Sequence, residues 1–440
     1  MGFGDAYLRK AALRGPLVSS EPHPQLTIVV TIPVYNESGL ARCLDSLFRR
    51  TLPGESRAEV LILVNAPASA PREVLEQNQK TFAQARRWIR GHHHPTIDFH
   101  LMLDQKFARK DAGVGTARKI LMDEAVRRFN QAGNPNGIIA SLDADAVVEP
   151  KYLEALIEHF GPPESQLEGC SIYFEHPLSV EEVISSGLLD EHAALDEMTP
   201  AIIDAVTQYE LHLRYYVQAL RSTGFPHAFH TVGSAFAVRA EVYCKEGGMN
   251  RRQGGEDFYF IQKIAQRGNF SDCISTRVIP SPRPSDRVPF GTGPVVRRLL
   301  KEGGKLNSYD PRLFRLVGDF LNGLEGVYSE DPEKRNTWLG SLNPLLLQFL
   351  NSQDFESGLE EMLANSASYP AFRKRFWRWF NMFRIMKFLH FAREHGYPDI
   401  PVGKAATELL LQIKPEMIDP SEAENNLRYL LDLYRNLDRP

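Results

Sequence analysis

The chain has little of what marks a secreted, membrane-embedded or nucleic-acid-binding protein. Four cysteines in 440 residues, Cys43, Cys170, Cys244 and Cys273, stand far apart with no Cys-x-x-Cys pair. That excludes a zinc-finger spacing and a disulfide framework, and fits a reducing cytoplasm. No apolar run approaches the roughly 20 residues that cross a bilayer. The opening stretch MGFGDAYLRKAALRGPLVSSEPHPQ has no continuous apolar segment before a small-residue cleavage site, so neither export nor a membrane span is expected. The formal charge is -4 with a pI near 6.4. Such a weak field does not gather nucleic acid, so any phosphate binding has to be local. There is no internal repeat and no low-complexity tract.

What is present is the balance of an ordinary globular protein, 43% hydrophobic and 24% charged. One core stops growing near about 250 to 300 residues, so two domains are the default. Residues 26–34, LTIVVTIPV, form an apolar, β-branched run that ends at Tyr35-Asn36-Glu37-Ser38-Gly39, which reads as a buried strand entering a loop. A helix is expected over 38–50, a strand over 59–65 closed by APASAP, and a strand over 97–103. A helix over 114–130 and a strand over 137–143 follow. Strands alternating with helices define an α/β fold with a parallel sheet, whose ligands sit at the carboxyl ends of the strands. Residues 178–222 read as helical, an inserted acceptor-side element, and TVGSAFAVR from Thr231 returns to a β-like run. SPRPSDRVPFGTGP, at 281–294, marks a boundary beyond which strand signals almost disappear. The expected domains are an N-terminal arm (1–25), an α/β domain (26–293) and a helical C-terminal region (294–440).

Ser141-Leu142-Asp143-Ala144-Asp145 closes the strand at 137–143. Two carboxylates one residue apart at a strand end can share Mg2+ or Mn2+, hard cations whose other ligands would be phosphate oxygens. A solvated turn would carry the same residues. Gly254-Gly255-Glu256-Asp257, followed by FYFIQKIAQRG, reads as a glycine turn entering a helix. Acidic residues there are favoured by the helix dipole alone. In the functional reading Asp257 is the general base that accepts the proton of an attacking hydroxyl.

With the first strand, these features carry a resemblance. TIVVTIPVYNE, from Thr27 to Glu37, resembles the opening signature of family 2 glycosyltransferases. SLDADAVVEPKYL resembles their metal motif, and TVGSAFAVRAEVYCKEGGMNRRQGGEDFYFIQKIAQRG resembles their acceptor-side segment ending in the Glu-Asp pair. The match runs over about residues 26–280 with the motifs in the family's order. It implies a GT-A fold, Rossmann-like, with a mainly parallel sheet and helices on both faces. It also implies a nucleoside-diphosphate-sugar donor linked to UDP, GDP or dTDP, and Mn2+ or Mg2+ as cofactor. By the same resemblance Pro33, Tyr35 and Glu37 line the nucleoside pocket. Asp145 holds the metal, Asp143 touches metal or ribose, and Glu256 and Asp257 are the catalytic pair. In DAGVGTAR, Gly115 lets the backbone approach the nucleotide and Arg118 supports base or diphosphate. Asn65 stands where the family usually has an aspartate touching the base, and offers both donor and acceptor. Transfer of a hexosyl group by single displacement would invert the anomeric centre. The acceptor, whether glycan, lipid or small molecule, is not named by any motif.

GVGTAR is a poor dinucleotide fingerprint, since it begins well after the preceding strand and lacks the third glycine. Lys106, Arg109 and Lys110 read as solvated. Arg283 and Arg287 could clamp a diphosphate as a closing lid, or belong to a surface linker. His92-His93-His94 reads as a solvated loop, and one of His176, His227 and His230 could complete a metal shell. Phe372, Phe376, Trp379, Phe383 and Met386 recur at helical spacing between basic residues. The stretch 372–391 reads as core, with peripheral contact to the inner face of an anionic membrane as the alternative. Two rival functions remain. One is a sugar nucleotidyltransferase, which would need a glycine-rich, lysine-bearing loop after the first strand. The other is an inactive protein that binds a nucleotide sugar or acts as a scaffold.

Overall fold

The computed structural model describes residues 2–49, 51–109, 112–162, 164–328, 332–424 and 426–440. The unbroken apolar run at the start becomes β1 (Leu26–Val34), buried along nearly its whole length. β2 (Arg57–Pro67) is equally sealed, as expected for strands covered on both faces. β3 (Ile97–Phe107), β4 (Ile138–Ser141), β5 (Val147–Val148), β6 (Gly169–Phe174), β7 (Phe236–Arg239) and β8 (Phe270–Ile279) complete one sheet in the order β3-β2-β1-β4-β7-β6-β8-β5.

The first four strands in that order are parallel. β7 runs antiparallel to both β4 and β6, β8 runs parallel to β6, and β5 antiparallel to β8. The sheet is therefore mixed and mainly parallel, not wholly parallel. The antiparallel part comes from β5 to β8, of which only β7 had a clear strand pattern in the sequence. β6 and β8 carry polar residues, among them Ser171, Asp272 and Thr276, which obscured the signal.

This pairing brings several loops to one edge. Strands β1, β2 and β4 end there, carrying Glu37, Asn65 and Asp143. β7 begins there, because Ser141 pairs with Phe236. β8 ends there and β5 starts there, because Ile279 pairs with Val147. Asp145 and the loop after Ile279 are thus neighbours by register.

Side chains alternate across the sheet. Leu61 and Leu63 join a cluster with Leu121, Met122 and Ala125 of the helix Val114–Ala132. Val60, Ile62 and Val64, 0% exposed, face the other side. The helices Leu40–Phe48 and Arg72–Gly91 also pack against the strands. Helices on both faces of the sheet are what the GT-A resemblance implies, and the helical region after it is what the loss of strand signals beyond 294 predicts.

The chain divides into two compact units, residues 1–206 with 231–303 and 439, and residues 207–230 with 304–438 and 440. Among the described residues the second is helical apart from the two-residue strands β9 (Asn307–Ser308) and β10 (Ile400–Pro401). Phe372, Phe376, Phe380 and Phe388, all 0% exposed, lie in its core. Of the stripe, Phe372 and Phe376 are buried while Trp379, Phe383 and Met386 are half-buried, and Arg373, Lys374, Arg375, Arg378 and Lys387 remain at the surface. Among the described residues no helix is long and apolar enough to cross a membrane.

Candidate active site

Asp143 and Asp145 stand in the loop after β4, with side chains 39% and 25% exposed. They do not share one partner. Arg118, in the first turns of the helix Val114–Ala132, donates from Nη2 to Asp143 Oδ1 and, over 2.8 Å, from Nη1 to Glu256 Oε1. Asp145 instead accepts from Arg287 Nη2, with Arg283 Nη2 3.6 Å away. Both of these arginines also donate to Glu37 Oε2. The site is two ion clusters side by side.

In the first cluster Arg118 is buried, 3% exposed. Burial works against its charge, but the carboxylates of Asp143, Glu256 and Asp257 outweigh it and hold the guanidinium charged. Its Nε finds no hydrogen-bond partner in the protein. Glu256 is pushed up to about 7, first by burial and further by Asp257 and Asp143, with Arg118 opposing. Asp257, half-buried, is raised for the same leading reason, and its Oδ1 accepts from the Phe258 amide over 2.7 Å. Gly255 caps this helix in the left-handed region at φ 70°, a conformation that glycine adopts freely. At Gly115 a β-carbon would lie 3.1 Å from both the Asn250 carbonyl and Glu256 Cβ. This glycine lets two helix starts meet; in the structure its close approach is to protein.

In the second cluster Glu37 is 1% exposed. Its Oε1 accepts from the Gly39 amide over 2.5 Å, and its backbone carbonyl accepts from Thr81 Oγ1 over 2.5 Å. Arg287 is further held by Ser285, whose Oγ accepts from Nε over 2.9 Å. Ser285 N donates to the Gly293 carbonyl over 3.2 Å, folding the Pro-rich loop on itself. The carboxylates Asp145 and Glu37 outweigh burial and keep Arg287 charged.

Around these clusters Pro33 is buried in β1 and Tyr35 is half-buried. The Tyr35 hydroxyl is raised by burial and by Asp286. Asn65, 5% exposed, donates from Nδ2 to the Val34 carbonyl over 3.0 Å, so its amide donor is engaged within the sheet. One residue escaped the sequence reading. Asn78, 0% exposed, accepts from the Asn36 amide and donates to the Asn65 carbonyl, both over 2.9 Å. It ties the loop after β1 to the end of β2, and it holds Asn36 at a left-handed φ of 49°. Nothing in the polar helical sequence around it signals this.

The histidines fall elsewhere. His92 stacks on Trp88 at 4.4 Å and His94 meets the edge of Phe48 at 5.4 Å. His176 faces Thr292 Oγ1 over 2.9 Å, and His230 pairs with Asp438 over 2.9 Å. Burial pushes His227 down to about 4. Among the described residues no group of three or more His, Cys, Asp or Glu is placed to hold a metal. Lys110 and Asp111 lie outside the described residues.

No family model matches the chain and no curated protein matches it in sequence. Solved structures do align with it. S. aureus TarS 1–349 in complex with UDP-GlcNAc shares 12% identity at a TM-score of 0.36, over 94% of this chain and 90% of that one. The mannosyltransferase PcManGT from Pyrobaculum calidifontis, in complex with GDP-Man and Mn2+, shares 15% identity at a TM-score of 0.33, over 99% and 92%. Alignments this loose establish no shared activity.

Proposed function

We propose that the chain is a glycosyltransferase of the family 2, GT-A type, moving a hexosyl group from a nucleoside diphosphate to a hydroxyl acceptor with inversion. The observation that carries this reading is the convergence of Asp143, Asp145, Glu256 and Asp257 at the carboxyl edge of the sheet, bound into clusters with three arginines. Carboxylates of raised pKa beside cationic groups in a loop-built site are a pattern of acid-base chemistry. The strand-end location is where ligands of such sheets bind.

In this reading Asp257 accepts the proton of the acceptor hydroxyl as its oxygen attacks the anomeric carbon. The bond from that carbon to the diphosphate oxygen breaks, and its electron pair leaves with the nucleoside diphosphate. Glu256 and Arg118 position the base. Arg283 and Arg287 bind the diphosphate, since guanidinium forks match phosphate oxygens. Asp143 and Asp145 fit a hard divalent cation by chemistry: two carboxylates one residue apart, both still partly exposed. Bound there, Mn2+ or Mg2+ would cancel charge on the diphosphate. Pro33, Tyr35 and Asn65 would flank the base.

A second reading, a nucleotide-sugar-binding protein without turnover, is favoured by one observation: Asp143, Asp145, Glu37 and Glu256 already carry arginine partners. Release of nucleoside diphosphate from a panel of UDP-, GDP- and dTDP-sugars, with Mn2+ and then with EDTA, separates the two. Release from one donor that stops with EDTA supports the transferase. Tight donor binding with no release under any condition, cell-extract acceptors included, supports the binder.

A further inference from the structure

The second ion cluster implies how the site is loaded, an inference that rests on the donor reading above. Glu37 and Asp145 are two negative charges, and Arg283 and Arg287 are the two positive charges that meet them. The group is neutral as it stands. Glu37 is 1% exposed, so it cannot exchange an arginine for water at low cost. Asp145 is the accessible member, and Arg287 sits on it while braced by Ser285. A divalent cation arriving alone would have to displace that guanidinium and would leave the cluster with an excess of two positive charges. The diphosphate of a nucleotide sugar, with one negative charge on each phosphate, would leave an excess of two negative charges if it arrived alone. Only the pair restores neutrality. The protein also offers too few ligands to hold a cation unaided, since the described residues contain no group of three suitable side chains. The cation's remaining ligands would come from water, backbone carbonyls and the oxygens of the incoming molecule.

We infer that Arg287, with Arg283, is an internal counter-ion that keeps Asp145 from taking a divalent cation until a diphosphate draws their guanidinium groups off Asp145, the contacts with Glu37 being kept. Cation and diphosphate then bind as a coupled pair, each raising the other's affinity. Linkage makes the coupling reciprocal, and couplings of about 5 to 150-fold are usual.

The test is calorimetric titration of Mn2+ alone, of pyrophosphate, UDP and GDP alone, and of each anion at saturating Mn2+. It is run on wild type, Arg287→Ala and Arg287→Lys, whose melting temperatures report whether the variants fold. In wild type, Mn2+ alone should bind weakly and its affinity should rise about tenfold or more with the anion present. In Arg287→Ala, Mn2+ alone should bind more tightly than to wild type, and the coupling should shrink. Arg287→Lys, which keeps the charge without the fork, should lie between. Mn2+ binding equally well with and without anion in wild type would overturn the inference while leaving the donor reading intact. Unchanged Mn2+ affinity in a folded Arg287→Ala would overturn it too. Coupling seen with pyrophosphate, but no binding of either nucleoside diphosphate, would sustain the counter-ion role and sink the donor reading.

Discussion

Both compact units bury arginines among carboxylates, and the two networks do opposite things to the acids they hold. In the helical unit Arg214, 0% exposed, donates to Glu210 over 2.8 Å and to Asp438 over 2.6 Å. Arg435 donates to Glu210 over 2.8 Å, and Arg221 approaches Asp438 at 3.4 Å. Burial would raise Asp438, but His230, Arg214 and Arg221 more than reverse it and hold the carboxyl well below the usual range. In the sheet unit one arginine, Arg118, serves Asp143, Glu256 and Asp257, and Glu256 rises to about 7. Three arginines over two carboxylates make a clasp. One arginine under three carboxylates leaves Glu256 at about 7 and Asp257 raised above the ordinary carboxylate range, the condition for proton transfer. The charge balance within a buried cluster distinguishes the structural network from the chemical one.

The sharpest way to break this comparison is to neutralise the proposed base. Asp257→Asn should cut nucleoside-diphosphate release about 100 to 10,000-fold, with donor affinity by calorimetry nearly unchanged. An unaffected rate would show that Asp257 is not the base. On the structural side, Asp438→Ala leaves Arg214 buried without the Asp438 carboxylate. Removing one partner of such a pair costs about 3 to 5 kcal/mol, readable as a lower unfolding midpoint in denaturant. Because the folded Asp438 lies below its unfolded value, this contribution is present above the ordinary carboxylate range and fades only as pH falls through the depressed value. A midpoint unmoved by the substitution would remove the clasp from the account.

The two networks should also part in their pH response. Glu256, raised to about 7, is increasingly protonated as pH falls through that value, so its ion pair with Arg118 weakens on the acid side. The rate of nucleoside-diphosphate release should drop there, and in Glu256→Gln the remaining activity should lose that limb. A pH-rate profile flat from pH 6 to pH 8 would contradict it. A smaller effect belongs to the Asn78 brace. Asn78→Ala leaves the Asn36 amide and the Asn65 carbonyl without a partner, at about 1 to 3 kcal/mol, and should weaken donor binding before it weakens folding. His93→Ala should change neither metal nor donor binding.

The strand-loop logic of the first 145 residues was legible because β1, β2 and β4 are continuous apolar runs closed by polar loops, and their carboxyl ends fix where Glu37, Asn65 and Asp143 stand. The helix start at Glu256 was legible from its glycine turn. Pairing across the site was not. Nothing in sequence says that Arg118 divides itself between Asp143 and Glu256, or that Arg287 bridges Glu37 and Asp145, which precede it by 250 and 142 residues. The Arg287 contacts follow the register between β5 and β8, which the sequence hid because β5 is only two residues long and β8 is broken up by polar residues. The aromatic stripe was ambiguous because a helix that faces a core and one that faces a membrane share the same periodicity.

The most direct test of the account is calorimetric binding of UDP-, GDP- and dTDP-sugars with and without Mn2+, on wild type and on Asp145→Ala. Metal-dependent binding of one nucleotide sugar, lost in Asp145→Ala while the variant remains folded, is the expected result. Absence of binding by every nucleotide sugar in wild type under all metal conditions would contradict the assignment.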